Sequence, residues 1–204
     1  MSKVKVKKHD TFIDMTAMSD VTVLLLTFFM LTANFIPMEP VQVITPASVS
    51  EVKVPDYDRM TILIDPQGKV YLNLDRPDDK RQVLERMGQY YGVTFTKKEM
   101  DNFAANSTFA AVPMGVMKNY LAVDLDEQDQ LIARYNGVPV DSANNQLAQW
   151  IKTAKDINEN LALSIKADQT TPYPLVKNVM STLQDIKENR FNLVTTLRGM
   201  PEGL

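Results

Sequence analysis

The chain has 204 residues, 45% of them apolar and 23% charged, a globular composition that suits one ordinary domain or a small domain plus an anchor. Lys and Arg total 22 against 25 for Asp and Glu, a net charge of −3, which argues against the broad basic excess of a general nucleic-acid binder. With no cysteine and one histidine, His9, there is no disulfide framework, thiolate nucleophile, Cys- or His-rich metal site or His-dependent triad.

The first predicted element is a membrane span. Lys3, Lys5, Lys7 and Lys8 open the chain, and residues 12–36 then contain no Lys or Arg. A bilayer core of roughly 30 Å needs about 20 helical residues. The most apolar run, Val21 to Ile36, reaches that length only by extending back to about Phe12, which brings Asp20 inside. Pro37 and Pro40 end the helix. The lysines precede the span and no basic residue follows before Lys53, so residues 1–11 are expected in the cytoplasm and everything after the span outside the inner membrane. A cleavable signal peptide is a competing reading, although an acid at the edge of its apolar stretch and Leu31 before Ala33 fit one poorly. A buried soluble helix is another.

Asp20 is the informative residue. A carboxylate near the bilayer centre costs about 2.5–3.5 kcal/mol on insertion scales. Protonation, pairing or contact with water lowers that cost, and a carboxyl able to gain and lose a proton there is suited to carry one. Asp20, Thr27 and Asn34 recur at seven-residue spacing, with Thr16 one turn before, so all four fall on one polar helix face. A single span cannot enclose such a face, and other transmembrane helices would have to. The plainer alternative places Asp20 at the headgroups and lets Thr27 bond back to its own helix.

Residues 37–57 read as an extended linker. Val41 to Pro55 alternates around Pro46 without a helical period, as a tether does, or a strand that pairs with another chain. Residues 60–64 and 69–73 flank the turn-rich Asp65-Pro-Gln-Gly68 as a β-hairpin, with Asp65 as a turn residue. Residues 78–136 read as a helical insertion. Asp78 or Asp79 caps its first helix, Gly92 closes it, and Thr96-Lys-Lys-Glu99 is a capping box. Helices are expected over 113–122 and 126–135, and an amphipathic one from Ser142 carrying Leu147, Trp150, Ile151 and Ala154. Residues 161–167 form a strand, a helix starts at Thr171-Pro172, and residues 191–197 form the last strand, so a parallel crossover follows. The fold class is therefore α+β: one transmembrane helix, a linker, and an exported domain over 58–204 with a small mixed sheet and helices packed on it. No phosphate loop, nucleophile elbow or metal-binding helix motif appears. Asp168, at a strand end, reads equally as an acid or as the cap of the turn before Pro172.

Three of these stretches resemble the ExbD/TolR family of biopolymer-transport proteins. Ile13-Asp14-Met15-Thr16-Ala17-Met18-Ser19-Asp20-Val21 is similar to the family's Ile-Asn-x-Thr-Pro-x-x-Asp-x entry to the span, with Asp14 in place of Asn and Ala17 in place of Pro. Residues 41–54 resemble its extended segment beyond the membrane, and residues 163–197 its strand–Asp–Pro-Tyr–helix–strand ending. The resemblance implies a non-enzymatic subunit of a proton-driven motor without a cofactor. It would be a homodimer whose spans sit within a ring of ExbB-like helices, with Asp20 as proton carrier. Thr16, Thr27 and Asn34 would form the polar face, and Val41, Val43, Pro46 and Ser48 the partner-binding linker. The exported domain would act on a TonB-like transducer. A TolR-like envelope role and a passive membrane-anchored binding protein are the competing functions.

Overall fold

The computed structural model describes residues 15–33, 43–48, 57–106, 108, 110–132, 134–141, 144–194 and 196–197. The chain divides into two units, Met1–Pro37 and Met38–Leu204. Within the first, α1 runs from Met15 to Thr32 and is exposed throughout. Its 18 residues span about 27 Å at the α-helical rise, close to a bilayer core. Among the described residues it is the one helix long and apolar enough to cross a membrane.

The second unit is built on a mixed four-stranded sheet. Its strands are β2 (Arg59–Ile64), β3 (Val70–Leu74), β6 (Ala162–Ala167) and β7 (Phe191–Leu193), in the order β3-β2-β6-β7. β2 and β3 form the expected hairpin, pairing antiparallel from Met60–Leu74 to Ile64–Val70. Asp65 closes it: its Oδ1 accepts from the Lys69 N–H at 2.7 Å and its carbonyl from the Gly68 N–H at 2.9 Å. Gly68 turns with φ +81°, and a Cβ there would overlap Leu175. β6 lies parallel to both β2 and β7. Its crossover to β7 is α7 (Tyr173–Asp185), which starts after Pro172 and carries Pro174 in its first turn, where the fixed φ suits the helix and no N–H is needed.

Two short pairs complete the strands. β1 (Ala47–Ser48) runs parallel to β8 (Thr196–Leu197), and β4 (Val140–Asp141) pairs antiparallel with β5 (Asn144–Asn145). The expected strand over 191–197 is described as two segments, β7 and β8, with Val194 outside both.

Between β3 and β4 lie α2 (Pro77–Tyr91), α3 (Lys97–Ala105), α4 (Met114–Leu121) and α5 (Leu125–Ile132). Thr96 and Glu99 form the predicted capping box, and Gly92 ends α2 at φ +70°. Asp78 and Asp79 do not cap α2. It begins at Pro77 after Arg76, with no side-chain cap, because the fixed φ of Pro at N1 already favours the helix. Helix α6 (Gln146–Ile157) starts later than Ser142: the Asn145 side chain accepts from the Ala148 N–H at 3.0 Å, and residue 142 lies outside the described residues. α2 packs on α3 and α6. Met60, Ile62 and Ile64 of β2 meet Leu84 and Met87 of α2 and Trp150 of α6 in one buried core.

A buried polar network holds the inserted helices. The Lys80 ammonium of α2 donates to the Asn106 carbonyl at 2.7 Å, past the end of α3, where helix carbonyls are short of donors. The Asn106 amide donates to the Tyr120 hydroxyl at 3.0 Å and to Gln128 Oε1 at 3.2 Å. Gln128 donates in turn to the Val123 carbonyl at 2.7 Å. Burial lowers the Lys80 pKa to about 8 against a Coulombic lift from Asp75. Burial, then Asp65, raises that of Tyr71, and burial raises that of Tyr91. Between pH 8 and 10 the unfolded chain holds the Lys80 proton more tightly than the folded one, so stability rises with pH. Above 10 the unfolded tyrosines ionise first, so it falls. Urea unfolding followed through Trp150, the single tryptophan, is expected to show a gain of roughly 1–2 kcal/mol up to about pH 10 and a decline beyond it.

Candidate functional site

α1 sorts its own polar groups. The Ser19 hydroxyl donates to the Met15 carbonyl at 2.8 Å, Thr22 to Met18 at 2.8 Å, Thr27 to Leu24 at 2.9 Å and Thr32 to Phe28 at 2.8 Å. Hydroxyls do this in apolar helices because a backbone carbonyl is the nearest acceptor and no residue of helix is lost. Asp20 has no such outlet: a carboxylate only accepts, and the helix N–H groups beside it are already bonded. Among the described residues no side chain pairs with it. Thr27, expected on a polar face with Asp20, is thus satisfied within its own helix. Thr16 lies in the first turn of α1, and Asn34 falls outside the described residues. The helix offers a neighbour one unsatisfied polar group, five residues or about 7.5 Å from its first residue.

In the second unit the linker is clasped at the end of β6. The Ile44 N–H donates to Asp168 Oδ2 at 2.8 Å, and the Ile44 carbonyl accepts from the Gln169 N–H at 2.7 Å. Asp168 Oδ1 accepts from the Thr170 N–H at 2.9 Å and its hydroxyl at 2.6 Å. Asp168 therefore caps the turn before Pro172, as one sequence reading had it, and with its other oxygen it also fixes a residue 124 positions away. These hydrogen bonds, those from Thr170 foremost, hold its carboxyl below the usual carboxylate range. Val43 is half-buried against the core, while Ile44 and Pro46 are exposed. Ser48 lies in β1, whose partner in the structure is β8 of the same chain rather than another chain. Val41 lies outside the described residues.

The clasp is a designed-in pH dependence. Its contribution is complete above the ordinary carboxylate value of 3.8 and is lost as the pH falls through the lower folded value. At neutral pH, Asp168→Ala is expected to speed hydrogen exchange at the Ile44 and Thr170 amides by at least about tenfold, the worth of a charge-assisted bond, while the β2 amides stay protected. Sequence reasoning named Asp168 but not Ile44, since nothing local marks a backbone N–H as the second partner of a distant carboxylate.

A groove of about 370 Å³ lies between the hairpin turn at Gly68, residues 136–141 and α7. Asp141 is the one acid among its described lining residues. Among the described residues no group of three or more His, Cys, Asp or Glu side chains could hold a metal.

A family model described as biopolymer transport protein ExbD/TolR matches residues 6–94 and 93–198. This chain belongs to the ExbD/TolR family. It is therefore a biopolymer-transport subunit of the membrane-associated kind that works with membrane partners in energy-transducing complexes. The two matched segments of this ExbD/TolR chain meet at Val93–Thr94, in the loop between α2 and α3. No curated protein and no solved structure matches it.

Proposed function

We propose that this chain is the proton-carrying, ExbD-like subunit of an inner-membrane motor. The observation that carries the reading is Asp20: every hydroxyl placed from Ser19 to Thr32 finishes its hydrogen bonding within α1, and this carboxyl does not. A group so costly in hydrocarbon requires neighbours that the described residues do not supply. Those neighbours are an ExbB-like ring of helices around the spans of a homodimer.

Asp20 takes a proton from the exported side and releases it to the cytoplasm. Each charge crossing about 100 mV yields about 2.3 kcal/mol, enough to bias a two-state rearrangement. The N-terminal segment is cytoplasmic and the exported domain passes the movement to a TonB-like transducer, energising outer-membrane transport. The linker around Val43, Pro46 and Ser48 is where a partner would compete with β8.

The test is purification of the chain with its membrane partners and measurement of proton flux in reconstituted vesicles. Flux is expected with Asp20 and absent with Asp20→Asn; equal flux in both would leave a passive tether. Co-purification of a TonB-like rather than a TolA-like transducer distinguishes the ExbD-like role from an envelope-constriction role.

A further inference from the structure

Every asparagine holds its side-chain amide near the backbone nitrogen of the next residue. How often the two meet depends on what that residue is and how firmly the fold holds the pair. Asn136 is the one asparagine of this chain followed by glycine, and the fold demands that glycine. Gly137 turns at φ +70°, and a Cβ there would lie 2.6 Å from the Val70 carbonyl oxygen and 2.9 Å from the Val70 nitrogen. A side chain is excluded both by the backbone angle and by the close passage beside β3. The nitrogen of Gly137 is in consequence the least shielded that a polypeptide offers.

Pairing leaves that nitrogen free. Gly137 bridges Val70 in parallel register, and the Val138 N–H makes the bond, to the Val70 carbonyl at 2.7 Å. In a parallel pair a residue is bonded by the two neighbours of the residue opposite. The Gly137 N–H therefore points away from β3, and it finds no acceptor among the described residues. Asn136 is exposed and lines the groove beside the hairpin turn, and its side-chain amide bonds to none of the described residues. Asn106 is the contrast. It precedes another small residue, Ser107, but it is buried. Its amide nitrogen donates to Tyr120 and Gln128, and its Oδ1 accepts from the Thr108 N–H at 3.0 Å.

We propose that Asn136-Gly137 is a site of spontaneous backbone modification, with water as the co-substrate. The Gly137 nitrogen attacks Cγ of Asn136. A Cγ–N bond forms, the Cγ–Nδ2 bond breaks, and ammonia leaves with the proton given up by the Gly137 N–H. Water then opens the cyclic imide at either carbonyl. Opening at Cγ gives aspartate. Opening at the main-chain carbonyl gives isoaspartate, whose backbone runs through the former side chain and is one carbon longer. Both products add a negative charge to a groove whose described lining holds one acid, Asp141. Only the longer backbone disturbs the register, because the 2.6 Å and 2.9 Å approaches at Gly137 leave no slack. Isoaspartate at position 136 therefore releases the bond from Val138 to Val70 and unseats residues 136–141 from β3. None of this depends on proton flow at Asp20.

Peptide mapping by mass spectrometry, on the full chain in detergent held at mildly alkaline pH, follows each asparagine. In the folded chain Asn136 is expected to convert to a mixture of aspartate and isoaspartate. Its rate is expected to fall less than about tenfold below that in the urea-unfolded chain, as suits a surface segment that opens at little cost. Asn106 is expected to convert in urea and to persist in the folded chain. Asn136→Gln, whose longer side chain must close a larger ring, is expected to slow the reaction to the level of the other asparagines. Amide exchange at Val138 is expected to quicken in the isoaspartyl fraction. It is expected to keep its native rate in Asn136→Asp, which carries the charge without the extra carbon. Protection of Asn136 in the folded chain to the level of Asn106 would overturn the site. Native exchange at Val138 in the isoaspartyl fraction would overturn the unseating.

Discussion

Asp20→Asn is expected to abolish energised transport while leaving membrane insertion, partner binding and protein level unchanged. The amide has the shape of the carboxyl and remains uncharged at every pH of interest, so assembly tolerates it, but it cannot bind and release a proton. A motor that draws about 2.3 kcal/mol per charge per 100 mV from that step has no input without it. Asp20→Glu keeps the chemistry and displaces it by one methylene, and a reduced rate is expected. Thr27→Val is the informative contrast. The Thr27 hydroxyl is already bonded to the Leu24 carbonyl, and its loss is expected to change transport by less than about twofold. Uptake assays in cells and flux in vesicles measure all three. Full transport by Asp20→Asn would end the proton-carrier reading.

Trp150→Ala is expected to cost the α+β domain about 3–5 kcal/mol, a large share of the 5–15 kcal/mol typical of a whole domain. Trp150 is fully buried in α6 and stacks on Phe103 of α3, ring centroids 6.1 Å apart and 18° from parallel. It therefore joins the inserted helices to the core beneath α6. Circular-dichroism melts of the full chain in detergent report the loss as a lower unfolding temperature, with α1 remaining helical. A melt within a degree of the native one would show that the insertion is seated without it.

Much of the fold was legible because its signals are local. The hairpin over 60–73, the Thr96–Glu99 box and the Gly92 stop are each set by residues within a few positions of one another, and the structure carries all three. The start of α2 was misplaced because two acids and a proline offered rival starts, and the proline's fixed backbone angle prevailed. Asp20 was visible as a charge in an apolar run. What the sequence could not disclose is pairing at a distance: Ile44 with Asp168, Ala47 with Thr196, Ala110 with Leu72. A backbone amide carries no residue-type label, so its partner is chosen by the assembled fold. The polar stripe shows the converse: sequence left open both a shared face and a hydroxyl turned back on its own helix, and the structure bonds the Thr27 hydroxyl to the Leu24 carbonyl.

The clasp at Ile44 has a mechanical consequence. Tension arriving along the chain from the residue 42 side meets two hydrogen bonds, the half-buried Val43 side chain and the two-residue β1–β8 pair before it reaches the six-residue pairing of β2 with β6. Peptide hydrogen bonds contribute only about 1 kcal/mol each in water, so the attachment gives way first. The domain is thereby shielded from a pull: slack is paid out at the clasp while the sheet keeps its shape, and the same strap can close again once the load is removed.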